Sequence, residues 1–335
     1  SRPSSHESWL QMQRVTARMG RPPKSDALHR GMSSSTFGPE ALRIDPEAET
    51  LRISSTLREI LSRRLKRRGA VVAPSGGIDS STVAALCVRA LGSERVYGLQ
   101  LPERDSSADS LSLSGLLAEA LGIETHLQDI SPILESLGCY ERQTEAIRRI
   151  VPEFGPEWKF KIVLPDILEE HSLRLFSLVA VSPEGEEIRR RLDSTAYLGL
   201  VAATNFKQRL RKMLEYYHAD RLNYAVCGTP NRLECDQGFF VKLGDGAADV
   251  KPIAHLYKSQ VYQLAGHLGV PEEILRRPPT TDTYPLPQSQ EEFYFSLDYE
   301  RMDICLYGKN HGLPEHEVAE AAGVSREQLR RVYDD

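Results

Sequence analysis

The stretch AVVAPSGGIDSS, residues 70–81, decides the fold of this chain. Its first five residues form an apolar run of the length of a buried strand, and apolar side chains then recur at helical spacing from Thr82 to Leu91. Between them, Gly76 and Gly77 let the backbone approach an anion closely, because no Cβ stands in the way. Amides of such a turn, together with the N-terminus of the following helix, donate to phosphate. The sequence therefore predicts a phosphate-binding turn at the carboxyl end of a sheet strand.

The polar side chains of this turn add a second indication. Ser75, Ser80 and Ser81 supply hydroxyl donors, whereas the carboxylate of Asp79 would repel a phosphate unless Mg²⁺ lay between them. An ordinary strand–turn–helix connection is the alternative, and a pair of glycines alone would favour it. The complete SGGxDS pattern after an apolar strand does not. The pattern also lacks the lysine of a GxxxxGK[ST] loop.

Strands and helices alternate around this turn, with short connections. That order predicts an α/β fold: a doubly wound parallel sheet with helices on both faces. We expect Gly69 to end the helix that precedes the first strand. The predicted strands are 70–74, 96–101, 125–130 and 223–227, and the predicted helices are 44–68, 82–91, 109–121, 203–218 and 261–268.

Composition divides the chain into a main domain and flanking segments. Residues 1–43 are poor in apolar pattern, and we expect a disordered or arm-like segment there. The main domain is expected over 44–310. The alternation of strands and helices in this domain is interrupted by a mixed or β-rich insert at about 139–192. Residues 158–164 and 173–181 of the insert are predicted strands. Residues 276–290 are an expected loop. Residues 311–335 are expected to form a C-terminal helical hairpin, with helices at 315–322 and 325–333.

Composition also bounds the function. The chain has 335 residues, 40% of them hydrophobic, and a net charge of -5, which is typical of a globular protein and argues against non-specific nucleic-acid binding. We expect no membrane association, because no apolar run approaches the ~20 residues of a spanning helix. The five cysteines are scattered without a CxxC pair, which favours a reducing cytoplasm over a disulfide framework or zinc site.

Two other classes of protein remain as alternatives. Residues 318–325 span the junction of two predicted helices and could belong to a helix-turn-helix module that binds DNA or a partner protein. A packed helical hairpin is the preferred interpretation, because the chain is acidic. A tRNA-modifying enzyme would need a basic RNA-binding face and often carries cysteine pairs, neither of which the sequence shows.

Four further blocks carry a family resemblance. They are Gly228 to Glu234, Gly238 to Asp249, Leu256 to Lys258, and Pro279 to Asp282. With the SGGxDS turn, they resemble the PP-loop ATP pyrophosphatases, which cleave ATP between its α- and β-phosphates. Their order and spacing resemble ammonia-dependent NAD synthetases. The resemblance spans about 44–130 and 196–310 and implies an adenine nucleotide α-hydrolase-like fold.

The resemblance implies roles for individual residues. The residues implied to contact ATP are Ser75, Gly76, Gly77, Asp79, Ser80, Thr229, Lys258 and Thr280. Asp79 and Glu234 would carry Mg²⁺ and, with Lys258, serve catalysis. The residues implied to bind the carboxylate substrate are Asn205, Arg209, Lys242 and Asp249. Asn205 and Arg209 are four positions apart and would share one helix face. The core-facing stripe predicted on the opposite face is Phe206, Leu210, Met213 and Tyr217.

The implied chemistry is amide formation. ATP would adenylate the carboxylate of deamido-NAD, and ammonia would displace AMP to give NAD. Residues 1–43 are too short for a glutaminase domain, so the ammonia would be free or come from a separate glutaminase. The resemblance also implies a homodimer. Gln100, where the family usually has arginine, residues 103–107 and the insert depart from the family pattern. They leave open a divergent member that acts on another carboxylate, such as a sugar acid.

Overall fold

In the computed structural model, which describes residues 37–164, 176–280, 284–286, 288 and 297–334, seven strands belong to two sheets. The strands are β1 (Ala70–Val72), β2 (Val96–Gln100), β3 (Glu124–Leu127), β4 (Lys159–Val163), β5 (Ser177–Val181), β6 (Glu187–Arg191) and β7 (Ala225–Val226). β3, β2, β1 and β7 form, in that order, a parallel sheet. β4, β5 and β6 form an antiparallel one.

Helices connect and cover these strands. They are α1 (Pro46–Glu59), α2 (Ile78–Leu91), α3 (Ala108–Leu121), α4 (Ser131–Ser136), α5 (Cys139–Arg148), α6 (Ser194–Leu222), α7 (Arg232–Gln237), α8 (Lys258–His267), α9 (Glu272–Leu275), α10 (Tyr299–His311), α11 (Glu315–Ala322) and α12 (Arg326–Asp334). No helix among the described residues is both long enough and apolar enough to span a bilayer.

The parallel sheet is buried on both faces. Successive side chains of a strand point to opposite sides, so Ala70 and Val72 pack into one apolar cluster and Val71 into another. The first cluster includes side chains of α1, α2 and α8, such as Leu86. The second includes α4, α5 and α6, with Leu210 among its members. Helices therefore cover both faces, which confirms the predicted doubly wound architecture.

The first helix ends earlier than the sequence predicts. Asp45 caps α1 by accepting hydrogen bonds from the amides of Glu47 and Ala48. A π-helical turn, Ile60–Arg64, follows, and the chain leaves the helix at Lys66, whose φ is 54°. The prediction that Gly69 ends this helix is wrong. Gly69 is needed for space, since a Cβ there would lie 2.4 Å from the Arg95 carbonyl oxygen.

The insert holds one more strand than predicted. β6 reads Glu-Ile-Arg-Arg-Arg and is mostly exposed, so neither period-2 alternation nor an apolar run marks it. The inward-facing side chains of β4 and β5, including Phe160 and Leu178, pack on Ala196 and Leu200 of α6. Residues 173–175 of the second predicted strand lie outside the described residues. The predicted insert therefore consists of α5 followed by a small sheet that packs against the first half of α6.

The long helix α6 begins nine residues before its predicted start. Asp193 caps it by accepting from the amide of Ala196 at 2.7 Å. Leu210 faces the core as predicted, but Met213 and Tyr217 are 60% and 61% exposed. The predicted core-facing stripe is wrong at these two positions. The buried face instead includes Lys207, a residue that an apolar pattern does not select.

The chain ends in three packed helices. The sequence did not indicate α10, whereas α11 and α12 lie within a residue of the predicted helices. Gly308 of α10 admits a close approach, because a Cβ there would lie 2.3 Å from a methyl group of Val318. Leu329 and Val332 of α12 are buried. α11 and α12 therefore form a packed hairpin, as preferred over a DNA-binding module.

Most of residues 1–43 lie outside the described residues. The last of them, Pro39–Leu42, form a 3₁₀ turn, and Leu42 is buried. The Leu42 carbonyl accepts a hydrogen bond from Gln263 of α8 at 3.1 Å. Ordered structure thus precedes its expected start near residue 44.

Candidate active site

The glycine turn after β1 has a fixed conformation. Gly76 has a φ of 74°, and a Cβ there would lie 2.7 Å from the Ser110 carbonyl oxygen, so only glycine fits. The Ser75 amide donates to the Ser80 hydroxyl at 3.1 Å, and that hydroxyl donates to the Gly77 carbonyl at 3.1 Å. The turn is therefore tied to the first turn of α2.

α2 directs its N-terminus towards this turn. Gly77 is its N-cap and has no side chain with which to cap the first amides. The positive end of the helix dipole and these amides favour an anion at that place. The predicted phosphate-binding residues Ser75 to Ser80 thus adopt the strand–turn–helix geometry that phosphate binding requires.

Asp79 links the start of its own helix to the starts of two others. It lies in the first turn of α2, and its Oδ1 accepts a hydrogen bond from Asn231 Nδ2, the N-cap residue of α7, at 3.0 Å. Its Oδ2 forms an ion pair with Nζ of Lys258, the first residue of α8. Lys258 is only 1% exposed. Burial alone would lower the pKa of Lys258, but Asp79 and Glu234 raise it above its ordinary value, so the ammonium stays charged.

Glu234 is the second carboxylate at this point. Its Oε2 accepts from the Asn231 amide at 3.0 Å, and Asn231 Oδ1 accepts from the Glu234 amide at 3.2 Å. This reciprocal pair is a capping box, which holds the carboxylate at the start of α7. Burial and then the negative charge of Asp79 raise the pKa of Glu234 to about 8. A cation beside Asp79 and Glu234 would offset that repulsion.

Two residues that sequence reasoning did not identify support the site. Asn231 carries the hydrogen bond to Asp79, and its Asn-x-x-Glu spacing is a capping-box signal that could have been found in the sequence. Asp303 of α10 accepts from the amides of Lys258 and Ser259 at 3.2 and 2.7 Å. It thereby fixes the start of α8. Its helix was not predicted, and no sequence signal marked it.

A third such residue, Arg277, braces the glycine turn. One guanidinium nitrogen lies 3.4 Å from the Gly76 carbonyl oxygen, and the other lies 3.0 Å from the Ser110 hydroxyl. Thr280, predicted to contact ATP, is exposed three residues further on, next to the undescribed residues 281–283. Thr229 is half-buried in the connection between β7 and α7, two residues before Asn231.

The structure brings part of the predicted acceptor site together. Arg209 is exposed on α6, and its Nε donates to the Lys242 carbonyl at 3.2 Å. Asn205 is half-buried one turn earlier on the same helix. Asp249 has a local partner, since its Oδ2 accepts from the Val226 amide at 2.8 Å. Asp249 therefore ties the loop that carries Lys242 to β7.

Asp79 and Glu234 suit a metal ion that also takes ligands from a bound phosphate compound. No group of three or more His, Cys, Asp or Glu residues within the described ranges could hold a metal ion. Asp79 and Glu234 supply two carboxylates, and Mg²⁺ commonly takes one or two carboxylates together with phosphate oxygens and water. The residues present thus suit a magnesium ion that arrives with a polyphosphate rather than one held by a protein cage.

The fold and this site together define the class. A parallel sheet whose first strand leads into an SGGxDS turn, with a carboxylate and a buried lysine beside that turn, is the arrangement of a PP-loop nucleotide-binding α/β protein. The NAD synthase family model matches residues 50–151 and 177–335. The chain belongs to the NAD synthase family, which is a family of carbon–nitrogen ligases.

Similar proteins agree with this assignment. The chain is 60% identical over 294 residues to an NH(3)-dependent NAD(+) synthetase of Mesorhizobium japonicum, which covers 88% of this chain and 92% of that protein. It is 58% identical to one of Rhizobium meliloti, with 89% of each chain covered. The expectation of a divergent member is therefore wrong: the departures from the family pattern occur in a chain that has relatives of high identity.

Solved structures share the fold. An NMN synthetase from Francisella tularensis superposes with a TM-score of 0.61 at 25% identity, over 87% of this chain and 93% of that one. An NH3-dependent NAD synthetase from Campylobacter jejuni superposes with a TM-score of 0.58 at 22% identity and the same coverage. The family model leaves out residues 152–176, which include β4.

Proposed function

We propose that the chain makes NAD from deamido-NAD, ATP and ammonia, with release of AMP and pyrophosphate. The observation that carries the proposal is the contact between Lys258 and Asp79 at the glycine turn, with Glu234 beside it. The names of the relatives, NH(3)-dependent NAD(+) synthetases, support the choice of substrates.

ATP binds with its phosphates at the start of α2. The amides of the 75–80 turn and the hydroxyls of Ser75 and Ser80 donate to phosphate oxygens, while Thr229 and Thr280 contact the rest of the nucleotide. Lys258 places a permanent positive charge where negative charge leaves with pyrophosphate. A buried ammonium is effective in that role, because few water molecules screen it.

Asp79 and Glu234 hold the magnesium ion. When bound, Mg²⁺ neutralises phosphate charge and makes pyrophosphate a better leaving group. The raised pKa of Glu234 supports this role, since a cation stabilises the ionised carboxylate that burial and Asp79 disfavour. Asp79 keeps both Asn231 and Lys258 in place around the phosphates.

The acceptor carboxylate is bound by α6 and the loop after α7. Arg209 and Lys242 supply cations on one surface, Asn205 adds an amide one helical turn away, and Asp249 keeps the loop in place. A carboxylate oxygen attacks the α-phosphorus of ATP and pyrophosphate leaves, which gives an acyl-adenylate. Ammonia then attacks the acyl carbon and loses a proton, and AMP leaves. No protein nucleophile is needed, so the enzyme contributes position and charge.

A second candidate acceptor follows from one comparison. The structure named NMN synthetase has the same fold at 25% identity. Its likeness favours the same adenylation chemistry on nicotinate mononucleotide, the carboxylate whose amide is NMN. The relatives at 52% to 60% identity favour deamido-NAD for this chain.

The surface of α6 supports a homodimer. Met213 and Tyr217 are 60% and 61% exposed, and their spacing of four residues places them on one face of this helix. Neighbouring large apolar side chains that are exposed in the monomer are typical of protein interfaces. The chain works in the cytoplasm in this proposal, where its five free cysteines stay reduced. Ammonia is taken from solution or from a separate glutaminase.

The test is pyrophosphate release with ATP, Mg²⁺, ammonia and one acceptor at a time. We expect release and NAD formation with deamido-NAD, much slower release with nicotinate mononucleotide or a sugar acid, and none without an acceptor. The Asp79→Asn variant is expected to lose at least a hundredfold in kcat. Release with another carboxylate but not with deamido-NAD would replace the proposed acceptor, and activity unchanged by Asp79→Asn would refute the proposed site.

A further inference from the structure

A buried lysine joins α6 to the loop that follows β2. Lys207 is 1% exposed, and its Nζ lies 3.0 Å from Glu103 Oε1 and 2.5 Å from Asp105 Oδ2. The two carboxylate side chains are 0% and 7% exposed. Buried charges are costly unless they are paired, and removal of one partner leaves the others uncompensated. These three residues therefore hold the helix and the loop in one relative position.

The contact of Lys207 lies on the part of α6 that carries the proposed acceptor residues. Lys207 lies between Asn205 and Arg209, the two residues that the proposed function assigns to the acceptor. Its side chain points into the protein, whereas Arg209 is exposed. A rigid helix moves as a unit, so a shift at Lys207 displaces both neighbours.

The loop at the other end of the contact leads to the glycine turn. The Ser106 amide donates to the Glu103 carbonyl at 2.9 Å, and Ser107 then caps α3. Arg277 lies 3.5 Å from the Ser107 hydroxyl and 3.4 Å from the Gly76 carbonyl oxygen. Hydrogen-bonded contacts therefore run from the buried lysine to the turn proposed to hold the phosphates.

Glu103 is held from both sides. The Tyr140 hydroxyl of α5 donates to Glu103 Oε2 at 2.8 Å, opposite the oxygen that Lys207 contacts. The guanidinium of Arg104 lies 3.7 Å from the centre of the Tyr140 ring. The carboxylate of Glu103 has little freedom to follow a displaced helix.

We propose that Lys207 is a positioning residue that sets the distance between the acceptor on α6 and the phosphates of ATP. Each substrate has its own binding residues, so loss of Lys207 leaves the two affinities largely intact and lowers the rate at which the bound substrates react. Misplacement by about 1 Å is enough to cost on the order of a hundredfold in rate. The proposal rests on the assignment of Asn205 and Arg209 to the acceptor in the proposed function.

The test compares binding and turnover in the Lys207→Met variant. We expect kcat for pyrophosphate release at saturating substrates to fall at least 30-fold. The Kd for ATP by calorimetry and the KM for deamido-NAD should change less than threefold. Glu103→Gln and Asp105→Asn each leave Lys207 one carboxylate, so we expect smaller losses of kcat with the same unchanged affinities.

Arg221→Met is the matched control. Arg221 joins the same helix to β2 itself, since its guanidinium donates to the Tyr97 hydroxyl at 2.9 Å. Tyr97 lies near the start of β2, away from the loop that follows the strand. Because Arg221 is exposed, this variant should change the free energy of unfolding by no more than about 0.5 kcal/mol, and kcat should stay within twofold of wild type. Equal losses of kcat in Lys207→Met and Arg221→Met would overturn the proposal, because any contact between α6 and the β2 segment would then have the same effect.

The remaining variants cover a folding failure of Lys207→Met and distinguish failure of the positioning role from failure of the acceptor assignment. If Lys207→Met does not fold, Glu103→Gln and Asp105→Asn decide, and wild-type kcat in both overturns the proposal. Arg209→Met reports on the acceptor assignment by itself through the KM for deamido-NAD. A raised KM in Arg209→Met with unchanged kcat in Lys207→Met refutes only the positioning role. An unchanged KM in Arg209→Met refutes the acceptor assignment.

Discussion

The buried ammonium of Lys258 is ion-paired with Asp79, although the two residues lie 179 positions apart in the sequence. The pair joins the start of α8 to the start of α2 beside the glycine turn. Because the helix N-termini bring a positive potential to the same place, the site is prepared for a highly charged anion before any ligand binds.

Replacement of this lysine tests its contribution to the reaction. Lys258→Met keeps much of the side-chain volume and removes the charge. We expect kcat to fall at least a hundredfold, or about 3 kcal/mol of transition-state stabilisation, because charge on the departing pyrophosphate loses its partner. Steady-state pyrophosphate release measures this, and Lys159→Met, at an exposed position in β4, serves as the control. A loss of stability with unchanged kcat would show that Lys258 is structural only.

The raised pKa of Glu234 predicts how stability depends on pH. Its ordinary pKa is 4.5 and its folded pKa is about 8, so the folded state holds a proton that the unfolded state releases between those values. Its contribution is fully present below pH 4.5 and is lost as the pH rises through 8. We expect the free energy of unfolding of the ligand-free wild type to fall over this range more steeply than that of Glu234→Gln. Urea titrations between pH 5.5 and 8.5 measure the difference.

Glu119→Gln supplies the control for this pH dependence, because Glu119 is exposed on α3. It should retain the wild-type slope. Parallel slopes for wild type and Glu234→Gln would mean that Glu234 is ionised throughout this range in the folded protein.

Alanine replacements of Gly76 and Gly122 distinguish the effect of backbone strain from the effect of a steric clash. Both have positive φ, 74° and 61°, but a Cβ at Gly76 would lie 2.7 Å from a backbone oxygen, whereas at Gly122 nothing lies within 4 Å. Gly122→Ala should cost roughly 1 kcal/mol of stability through backbone strain and leave catalysis unchanged. Gly76→Ala should cost more and raise the KM for ATP at least tenfold, because the turn must shift. Urea denaturation and ATP titrations measure the two effects, and equal values for both variants would contradict the prediction.

The sequence predicted the fold because its signals are local. The apolar run of β1, the SGGxDS turn and the helical spacing of α2 each lie within a few residues. The close approach of the Ser110 carbonyl, which makes glycine necessary at position 76, is visible only in the structure. The capping box of Asn231 and Glu234 is an equally local signal, although sequence reasoning did not identify Asn231. Local rules were therefore sufficient for the glycine turn, but not for Arg277 and Asp303, which brace the turn and the start of α8.

The remaining features depend on tertiary contacts. Lys207 is buried because Glu103 and Asp105 meet it from a loop about a hundred residues away, which no local pattern encodes. Met213 and Tyr217 fit an apolar helical stripe, yet they lie on the exposed side of α6. Apolar spacing identifies an amphipathic helix but does not say which face the rest of the protein covers.

The proposed acceptor site gives the last prediction. Arg209 is exposed, so Arg209→Met should change the free energy of unfolding by no more than about 0.5 kcal/mol. Loss of its charge beside Lys242 should raise the KM for deamido-NAD at least tenfold, while the KM for ATP stays within threefold, because the ATP residues lie on other elements. Steady-state kinetics with each substrate varied in turn measure the two values. Arg64→Met, an exposed arginine in the turn after α1, is the control. A rise of both KM values in Arg209→Met would show that this arginine acts on the whole site rather than on the acceptor.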